Sequence, residues 1–192
     1  TKLRRIFQQE NSPLTKHNVP VVVIGNISVG GTGKTPLLIA IAQQLQAAGL
    51  RPGIISRGFG GEGADYPMQV NGNDNPAIAG DEPVLIARKT NCPVVIDPDR
   101  RSALDYLLDS NKVDVVLSDD GLQHYKLFRN IEVIVVDGQR QFGNGMCFPA
   151  GPLREPIKRL QEADFIVVNV TGLTSAPMVS SSASMTMEPK GL

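Results

Sequence analysis

Residues 19–35 read VPVVVIGNISVGGTGKT, and this stretch decides the fold. Residues 19–25 form a short run of β-branched side chains, which is typical of a buried parallel strand. A glycine-rich segment follows at 28–35, and from 34 to 50 apolar residues recur at helical spacing. The sequence therefore predicts a strand, a glycine-rich loop and a helix in direct succession.

The glycine-rich loop matches the phosphate-binding pattern G-x-x-x-x-G-K-[ST], except that Ser28 stands at the first glycine position. Glycines let backbone N–H groups converge on phosphate oxygens at the N-terminus of a helix. We expect Lys34 to neutralise the β- and γ-phosphates and Thr35 to offer its hydroxyl to Mg²⁺. A plain strand-to-helix turn is the alternative. The predicted phosphate-binding residues are Ser28, Val29, Gly30, Gly31, Thr32, Gly33, Lys34 and Thr35.

Further along the chain, apolar strand-like segments alternate with segments of helical spacing. This alternation predicts an α/β fold, a P-loop NTPase-like, mostly parallel sheet flanked by helices. Such sheets bind ligands beyond the carboxyl ends of their strands. The other predicted strands are 54–56, 93–97, 113–118, 131–137 and 164–169, and the other predicted helices begin at 80 and 99.

Acidic residues at the ends of these elements are candidates for metal binding and proton transfer. Asp119 and Asp120 follow an apolar strand, where P-loop enzymes place a second Mg²⁺ ligand; a plain turn is the alternative. Asp81 opens a helix and is either its N-cap or a general base for an attacking hydroxyl. Glu82 would then be either a metal ligand or a carboxylate that contacts the ligands of the metal rather than the metal itself. His124 lies near the acidic pair in sequence, and a structural role competes with a catalytic one.

Composition and charge narrow the functional classes. Lys and Arg total 19, as do Asp and Glu, and no basic-aromatic stripe occurs, so nucleic acid has little support. The only cysteines, Cys92 and Cys147, lack zinc-site spacing, so we expect a reducing compartment. No protein partner is evident. Residues 1–18 mix cations with apolar groups, which suits an anionic membrane surface, although a solvated terminus is the plainer alternative.

Six short motifs occur along the chain in a fixed order. They are 25–36 (GNISVGGTGKTP), 56–61 (SRGFGG), 79–83 (AGDEP), 119–125 (DDGLQHY), 142–145 (FGNG) and 149–155 (PAGPLRE). Together they resemble the tetraacyldisaccharide 4'-kinase family, the lipid A 4'-kinases of Gram-negative bacteria. Each motif is modest alone, but their combination is specific.

The resemblance implies ATP-dependent phosphorylation of the 4'-hydroxyl of a tetraacyldisaccharide 1-phosphate, a lipid A precursor. It implies ATP and Mg²⁺ as cofactors and a peripheral location at the cytoplasmic face of the bacterial inner membrane. Asp81 takes the place of the family's catalytic aspartate, acting with Lys34, and Asp119 and Asp120 match its acidic pair near Mg²⁺. Polar positions near the lipid headgroup are expected at Asn26, Arg57, Arg100, Gln123, His124, Arg154 and Glu155.

The resemblance also divides the chain into three parts. Residues 1–18 are interpreted as the remnant of a membrane-associating region, 19–170 as the P-loop kinase core, and 171–192 as a linker toward a C-terminal lobe. In the family that lobe supplies a histidine partner to the catalytic aspartate, so we expect little activity from this stretch alone. Two rivals stay open, a non-catalytic nucleotide-binding module and an ATPase switch protein of the partition or metal-insertion type. Such switch proteins often carry a Lys early in the loop, where this chain has Val29.

Overall fold

The computed structural model describes residues 19–58, 61, 65–171 and 183–187. The strands are β1 (Val21–Gly25), β2 (Pro52–Ser56), β3 (Met68–Val70), β4 (Val94–Ile96), β5 (Val115–Asp119), β6 (Ile131–Asp137), β7 (Phe165–Asn169) and β8 (Ala183–Met185). The α-helices are α1 (Lys34–Ala47), α2 (Pro76–Ala79), α3 (Asp81–Thr90) and α4 (Arg100–Ser110), and a 3-10 helix spans Ile157–Glu162.

The eight strands form one sheet in the order β3-β4-β2-β5-β1-β6-β7-β8. All neighbouring strands run parallel except β3, which pairs antiparallel with β4. Strand β1 lies between β5 and β6, so the chain first builds the sheet on one side of β1 and later crosses to the other. This reversal creates a crevice at the carboxyl end of β1, where open α/β sheets bind ligands.

Two apolar layers cover the sheet, one on each face. On one face Ile24 packs with side chains of α1 and α3, and on the other Val21 and Val23 pack with those of α4. Strand β1 is therefore buried on both sides, which explains why its sequence is a continuous apolar run. The helical members of these layers include Leu38, Ala42, Val84, Ile86, Ala103, Leu104 and Leu107.

The prediction of a mostly parallel sheet flanked by helices is confirmed. The sequence did not indicate β3 and β8, which are three residues long and only partly buried. Strand β8 lies inside the stretch 171–192, where we expected only loop, and it extends the sheet by pairing with β7. The segment 1–18 lies outside the described residues. No helix in the described part of the chain has both the length and the apolar character needed to cross a membrane.

The helix ends clarify two of the expectations. Helix α1 ends at Ala47 rather than near 50, and Gly49 follows with φ of 82°, its N–H donating to the carbonyl of Gln46 at 2.9 Å. Helix α3 has Gly80 as its N-cap, and Asp81 is the first helical residue. The N-cap interpretation of Asp81 is therefore wrong, because Gly80 holds the non-helical conformation that precedes the first turn.

Candidate phosphate-binding site

The glycine-rich loop at residues 28–35, called the phosphate loop below, requires glycine at two positions because of its backbone conformation. Gly30 has φ of 98° and Gly33 has φ of 93°, a backbone region that residues with a Cβ rarely adopt. A Cβ on Gly33 would also lie 2.7 Å from Cε of Met185 and 3.0 Å from Nδ2 of Asn169. Conformation and close packing therefore both require glycine at the start of α1.

Three side chains from separate strand ends bind three successive carbonyl oxygens of this loop. Asn26, just after β1, donates through Nδ2 to the carbonyl of Gly30 at 3.3 Å. Arg140, beyond β6, donates to the carbonyl of Gly31, and Asn169, which ends β7, donates to that of Thr32 at 3.4 Å. These donors offset the partial negative charge of carbonyls that would oppose an incoming phosphate. The sequence motifs gave no signal for Arg140 and Asn169, whose roles depend on the order of the strands.

A cavity of about 370 Å³ opens beside the loop at the carboxyl ends of β1, β2 and β5. Most of the predicted site residues line it. They are Gly30, Gly31, Lys34, Arg57, Glu82, Arg100, Asp119, Asp120, Gln123, His124 and Arg154, joined by Ser56. The predicted residues that do not line this cavity are Ser28, Val29, Thr32, Gly33, Thr35, Asp81, Asn26 and Glu155. Asp81 is exposed at the first turn of α3.

Asp120 lies between two cations at the edge of the cavity. Its Oδ1 is 3.6 Å from Nζ of Lys34, and its Oδ2 accepts from Nη1 of Arg154 at 2.9 Å. Asp120 has φ of 46°, a left-handed conformation that Asp and Asn tolerate better than most residues. The turn after β5 therefore brings a carboxylate to the loop lysine.

Asp119, the last residue of β5, is only 2% exposed. Ser56 Oγ donates to its Oδ2 at 3.4 Å, while its Oδ1 has no hydrogen-bond partner among the described residues. Burial raises the pKa of Asp119 to about 6, and the negative charges of Glu82 and Asp120 add to this shift. The charges of Lys34 and Arg100 oppose the shift, and Oδ1 is the oxygen of this carboxylate that accepts no hydrogen bond within the described residues.

This donor set fits Mg²⁺, which prefers oxygen ligands and usually takes one or two carboxylates together with phosphate oxygens and water. The Oδ1 atoms of Asp119 and Asp120, which accept no hydrogen bond within the described residues, are of this kind, and Glu82 lines the same cavity. Within the described ranges no group of three or more His, Cys, Asp or Glu side chains is placed to hold a metal ion alone. A metal bound here would therefore share its coordination with phosphate oxygens.

Arg100 is buried beneath the cavity and binds backbone rather than carboxylate. Its guanidinium donates to the carbonyl of Asp97 and to that of Asp119, each at 3.0 Å. Burial lowers the pKa of Arg100 to about 10, and the nearby charges of Asp119 and Asp120 oppose that shift. Arg100 thereby holds the end of β5 in place while adding positive charge under the cavity.

His124 is half-buried at the cavity wall. Burial lowers its pKa to about 4, and the positive charges of Arg100 and Arg57 lower it further than burial alone. His124 is therefore neutral near neutral pH, and its ring nitrogens serve as hydrogen-bonding groups rather than as a cation.

Glu155 is buried behind the cavity in a polar network. Its Oε1 accepts from Gln123 at 2.9 Å and its Oε2 accepts from the hydroxyl of Tyr125 at 2.6 Å. Gln123 also donates to the carbonyl of Asn26 at 3.2 Å, and Nε of Arg159 lies 3.5 Å from Oε2 of Glu155. Glu155 therefore acts on the cavity through Gln123, and the sequence motifs gave no signal for Arg159.

The comparison with protein families agrees with this geometry. The family described as Tetraacyldisaccharide-1-P 4'-kinase, abbreviated LpxK, matches residues 1–190. The chain belongs to this family. The tetraacyldisaccharide 4'-kinases of Legionella pneumophila and Nitrosococcus oceani are 54% and 57% identical over 151 residues, which is 79% of this chain and 47% and 45% of theirs. That of Alcanivorax borkumensis is 50% identical over 190 residues, 98% of this chain and 56% of its own length. The chain thus spans about half the length of the curated relatives it matches.

A solved structure supports the fold assignment. The crystal structure of LpxK from Aquifex aeolicus in complex with ATP superposes with a TM-score of 0.81 at 29% identity. The match covers 96% of this chain and 59% of that one. The P-loop NTPase-like fold expected from the sequence is therefore confirmed.

Proposed function

We propose that the protein is an ATP-dependent kinase that transfers the γ-phosphate to the 4'-hydroxyl of a tetraacyldisaccharide 1-phosphate, a lipid A precursor. The observation that carries this proposal is the meeting of the phosphate loop, Lys34 and the Asp119–Asp120 pair at one cavity. The names of its relatives supply the acceptor, and the ATP complex of the Aquifex relative supports ATP as donor. We extend the proposal to the location that the resemblance implies, the cytoplasmic face of the bacterial inner membrane.

The roles of the loop residues follow from charge and position. Lys34 stands at the loop end of α1, where it would neutralise the negative charge of the transferred phosphoryl group. The N-terminus of α1 adds backbone N–H groups that favour an anion. Asp120 holds Lys34 and Arg154 together, and a triphosphate in the cavity would compete with Asp120 for both cations.

The carboxylates suit the metal that such a reaction uses. Thr35, Glu82, Asp119 and Asp120 would hold Mg²⁺, which when bound offsets the charge of the β- and γ-phosphates. We assign to Asp81 the role of accepting or orienting the proton of the sugar hydroxyl. Its support is its position directly before Glu82, whose side chain lines the cavity.

The acceptor headgroup is proposed to meet the polar wall of the same cavity. Arg57, Gln123, His124 and Arg154 line this wall, and the two arginines suit an anionic sugar phosphate. Three further predicted residues support this wall through hydrogen bonds to its residues or backbone, and of these three Arg100 also lines the cavity. They are Asn26, Arg100 and Glu155.

The test is transfer of radiolabel from γ-labelled ATP to the disaccharide lipid by the full-length protein. We expect Lys34→Ala and Asp81→Asn each to lower turnover by about 100-fold or more, as loss of a group acting on the transition state does. Asp109→Asn, which changes an exposed aspartate of α4, is the matched control and should leave turnover unchanged. ATP hydrolysis or nucleotide-dependent dimerisation without any labelled lipid would favour the switch-protein rival and refute the proposal.

A further inference from the structure

The loop between β6 and the 3-10 helix exposes an uncharged stretch, residues 143–150 (GNGMCFPA). We call residues 146–150 (MCFPA) the apolar tip. Phe148 is 74% exposed, more than any other large hydrophobic residue of the described chain, and Met146 is 55% exposed. Exposed large apolar side chains so close together mark an interaction surface more often than chance exposure.

The apolar tip is held in a defined conformation by its own backbone. Phe148 N–H donates to the carbonyl of Leu153 at 2.7 Å, and Leu153 N–H donates to that of Met146 at 3.1 Å. Ala150 N–H donates to the carbonyl of Cys147 at 3.0 Å, and the amide of Asn144 donates to that of Ala150 at 2.9 Å. Because these polar groups already have partners, moving the tip out of water costs less than it would for an open loop.

The segment of sequence that carries the apolar tip is rich in cations. Residues 138–161 contain one acid, Glu155, and it is buried and hydrogen-bonded. The charged side chains of this segment that reach the surface are Arg140, Arg154 and Lys158. Arg140 also pairs with Asp137 and Arg154 with Asp120, so the positive charge that this segment offers is modest. An apolar tip in a cationic segment complements the surface of an anionic bilayer, where headgroups attract the cations and acyl chains accept the apolar side chains.

The same loop is joined directly to the phosphate loop. Val29 N–H donates to the carbonyl of Pro152 at 2.8 Å, and Ser28 forms a β-bridge with Leu153. Arg154, which follows, lines the cavity. A surface that received the apolar tip would therefore lie close to the site of phosphate transfer.

We propose that the apolar tip, with Met146 and Phe148 at its centre, inserts into the surface of an anionic lipid bilayer and brings the cavity to its lipid acceptor. Lys158, an exposed cation of the same segment, then contributes to the attraction by anionic headgroups. The inference rests on the proposed function only in naming a lipid as the acceptor, because bilayer binding itself needs no catalysis.

The experiment uses Cys147, which lies inside the apolar tip and is exposed, whereas Cys92 is buried. An environment-sensitive fluorophore is attached to Cys147 of the full-length protein, with any cysteines outside this sequence replaced. Phosphatidylcholine vesicles with and without phosphatidylglycerol are then added. We expect a blue shift and quenching by brominated acyl chains, both stronger with phosphatidylglycerol.

Variants separate the apolar tip from other membrane contacts. Phe148→Asp and, independently, Met146→Asp should each weaken binding to phosphatidylglycerol vesicles about tenfold, because each replaces a large apolar side chain by a charge. Leu50→Asp is the matched control, since Leu50 is 42% exposed but lies at the amino end of β2, away from the cavity. It should leave vesicle binding unchanged, and thermal denaturation checks that every variant folds.

Several results would overturn the inference. One is a protein that sediments with vesicles while the Cys147 fluorophore stays unshifted, because another segment then makes the contact. Another is a fluorophore already shielded before vesicles are added, because protein then covers the apolar tip. Transfer to detergent-dispersed lipid acceptor is measured in parallel. The proposal predicts that Phe148→Asp keeps this activity and loses activity toward acceptor in vesicles, whereas a wild type inactive in both refutes the proposed function instead.

Discussion

The buried ion cluster behind the cavity offers a sharp prediction for Arg159→Met. The side chain of Arg159 is only 4% exposed, and its guanidinium donates to Glu132 and lies 3.5 Å from Glu155. Methionine has a similar length and no charge, so it fills most of the space. The substitution therefore leaves two buried carboxylates short of one cation.

The expected cost follows from what the two carboxylates retain. Removing one partner of a buried ion pair costs about 3–5 kcal/mol, because the remaining charge is uncompensated. Glu155 keeps its hydrogen bonds from Gln123 and Tyr125, and Glu132 keeps Arg129 at 3.0 Å. We therefore expect the lower end of that range, about 3 kcal/mol of unfolding free energy.

The matched control is Arg51→Met. Arg51 forms an equally well-aligned pair with Asp114, at 2.7 and 3.0 Å, but its side chain is 60% exposed. Solvent screens such a pair, so its loss should barely change the stability. The two variants thus share the same chemical change and differ in burial.

Urea unfolding of the wild type and both variants measures the difference directly. The double variant Arg159→Met with Glu155→Gln should recover part of the loss, because it removes one of the unpaired charges. ATP affinity should also fall in Arg159→Met, since Glu155 positions Gln123 and through it the backbone of Asn26 beside the phosphate loop. Equal stability losses for Arg159→Met and Arg51→Met would refute the reasoning.

Three further predictions concern the cavity itself. Gly33→Ala should weaken ATP binding at least tenfold by titration calorimetry, because φ of 93° and Cε of Met185 at 2.7 Å both oppose a Cβ; unchanged affinity would contradict this. The pKa of His124 is lowered from 6.5 to about 4 on folding, so the unfolded chain binds the proton first and stability falls as pH drops through that window. His124→Gln should remove about 2 kcal/mol of this pH dependence in urea unfolding after allowing for partial exposure, and an unchanged pH profile would exclude this cause. Asp120→Asn should keep the left-handed turn and the thermal stability but free Lys34 and slow phosphate transfer; a turnover equal to that of wild type would show that Asp120 has no role.

The parts of the fold that follow from sequence are those in which the residues of the segment themselves specify the local structure. Strand β1, the phosphate loop and α1 could all be predicted from sequence. A run of β-branched residues indicates the strand, a set of glycines indicates the loop, and an apolar spacing of helical period indicates the helix. Strands β3 and β8 do not read this way. They are short edge segments in which every residue but Val70 is exposed or half-buried, so their pairing depends on where the neighbouring strand lies rather than on their own pattern.

The candidate site likewise has some features that the sequence indicates and others that depend on how the strands are ordered. The contact between Lys34 and Asp120 depends on strand ends that share one edge of a parallel sheet, and the sequence predicts that sheet and the acidic pair at the end of a strand. The tethering of the loop carbonyls by Arg140 and Asn169 does not, because it requires β6 and β7 to lie beside β1. The pairing of Arg159 with Glu132, 27 positions apart, likewise exists only in the folded chain.

The central claim is that this cavity transfers phosphate to the 4'-position of a lipid sugar, and the position of phosphate in the product tests it most directly. Proton–phosphorus correlation NMR of the lipid recovered from full-length protein and ATP locates the new ester. The account predicts a correlation between the new phosphorus and the proton on the 4'-carbon, absent with Lys34→Ala. Free phosphate alone, or an ester at any other carbon, would contradict it.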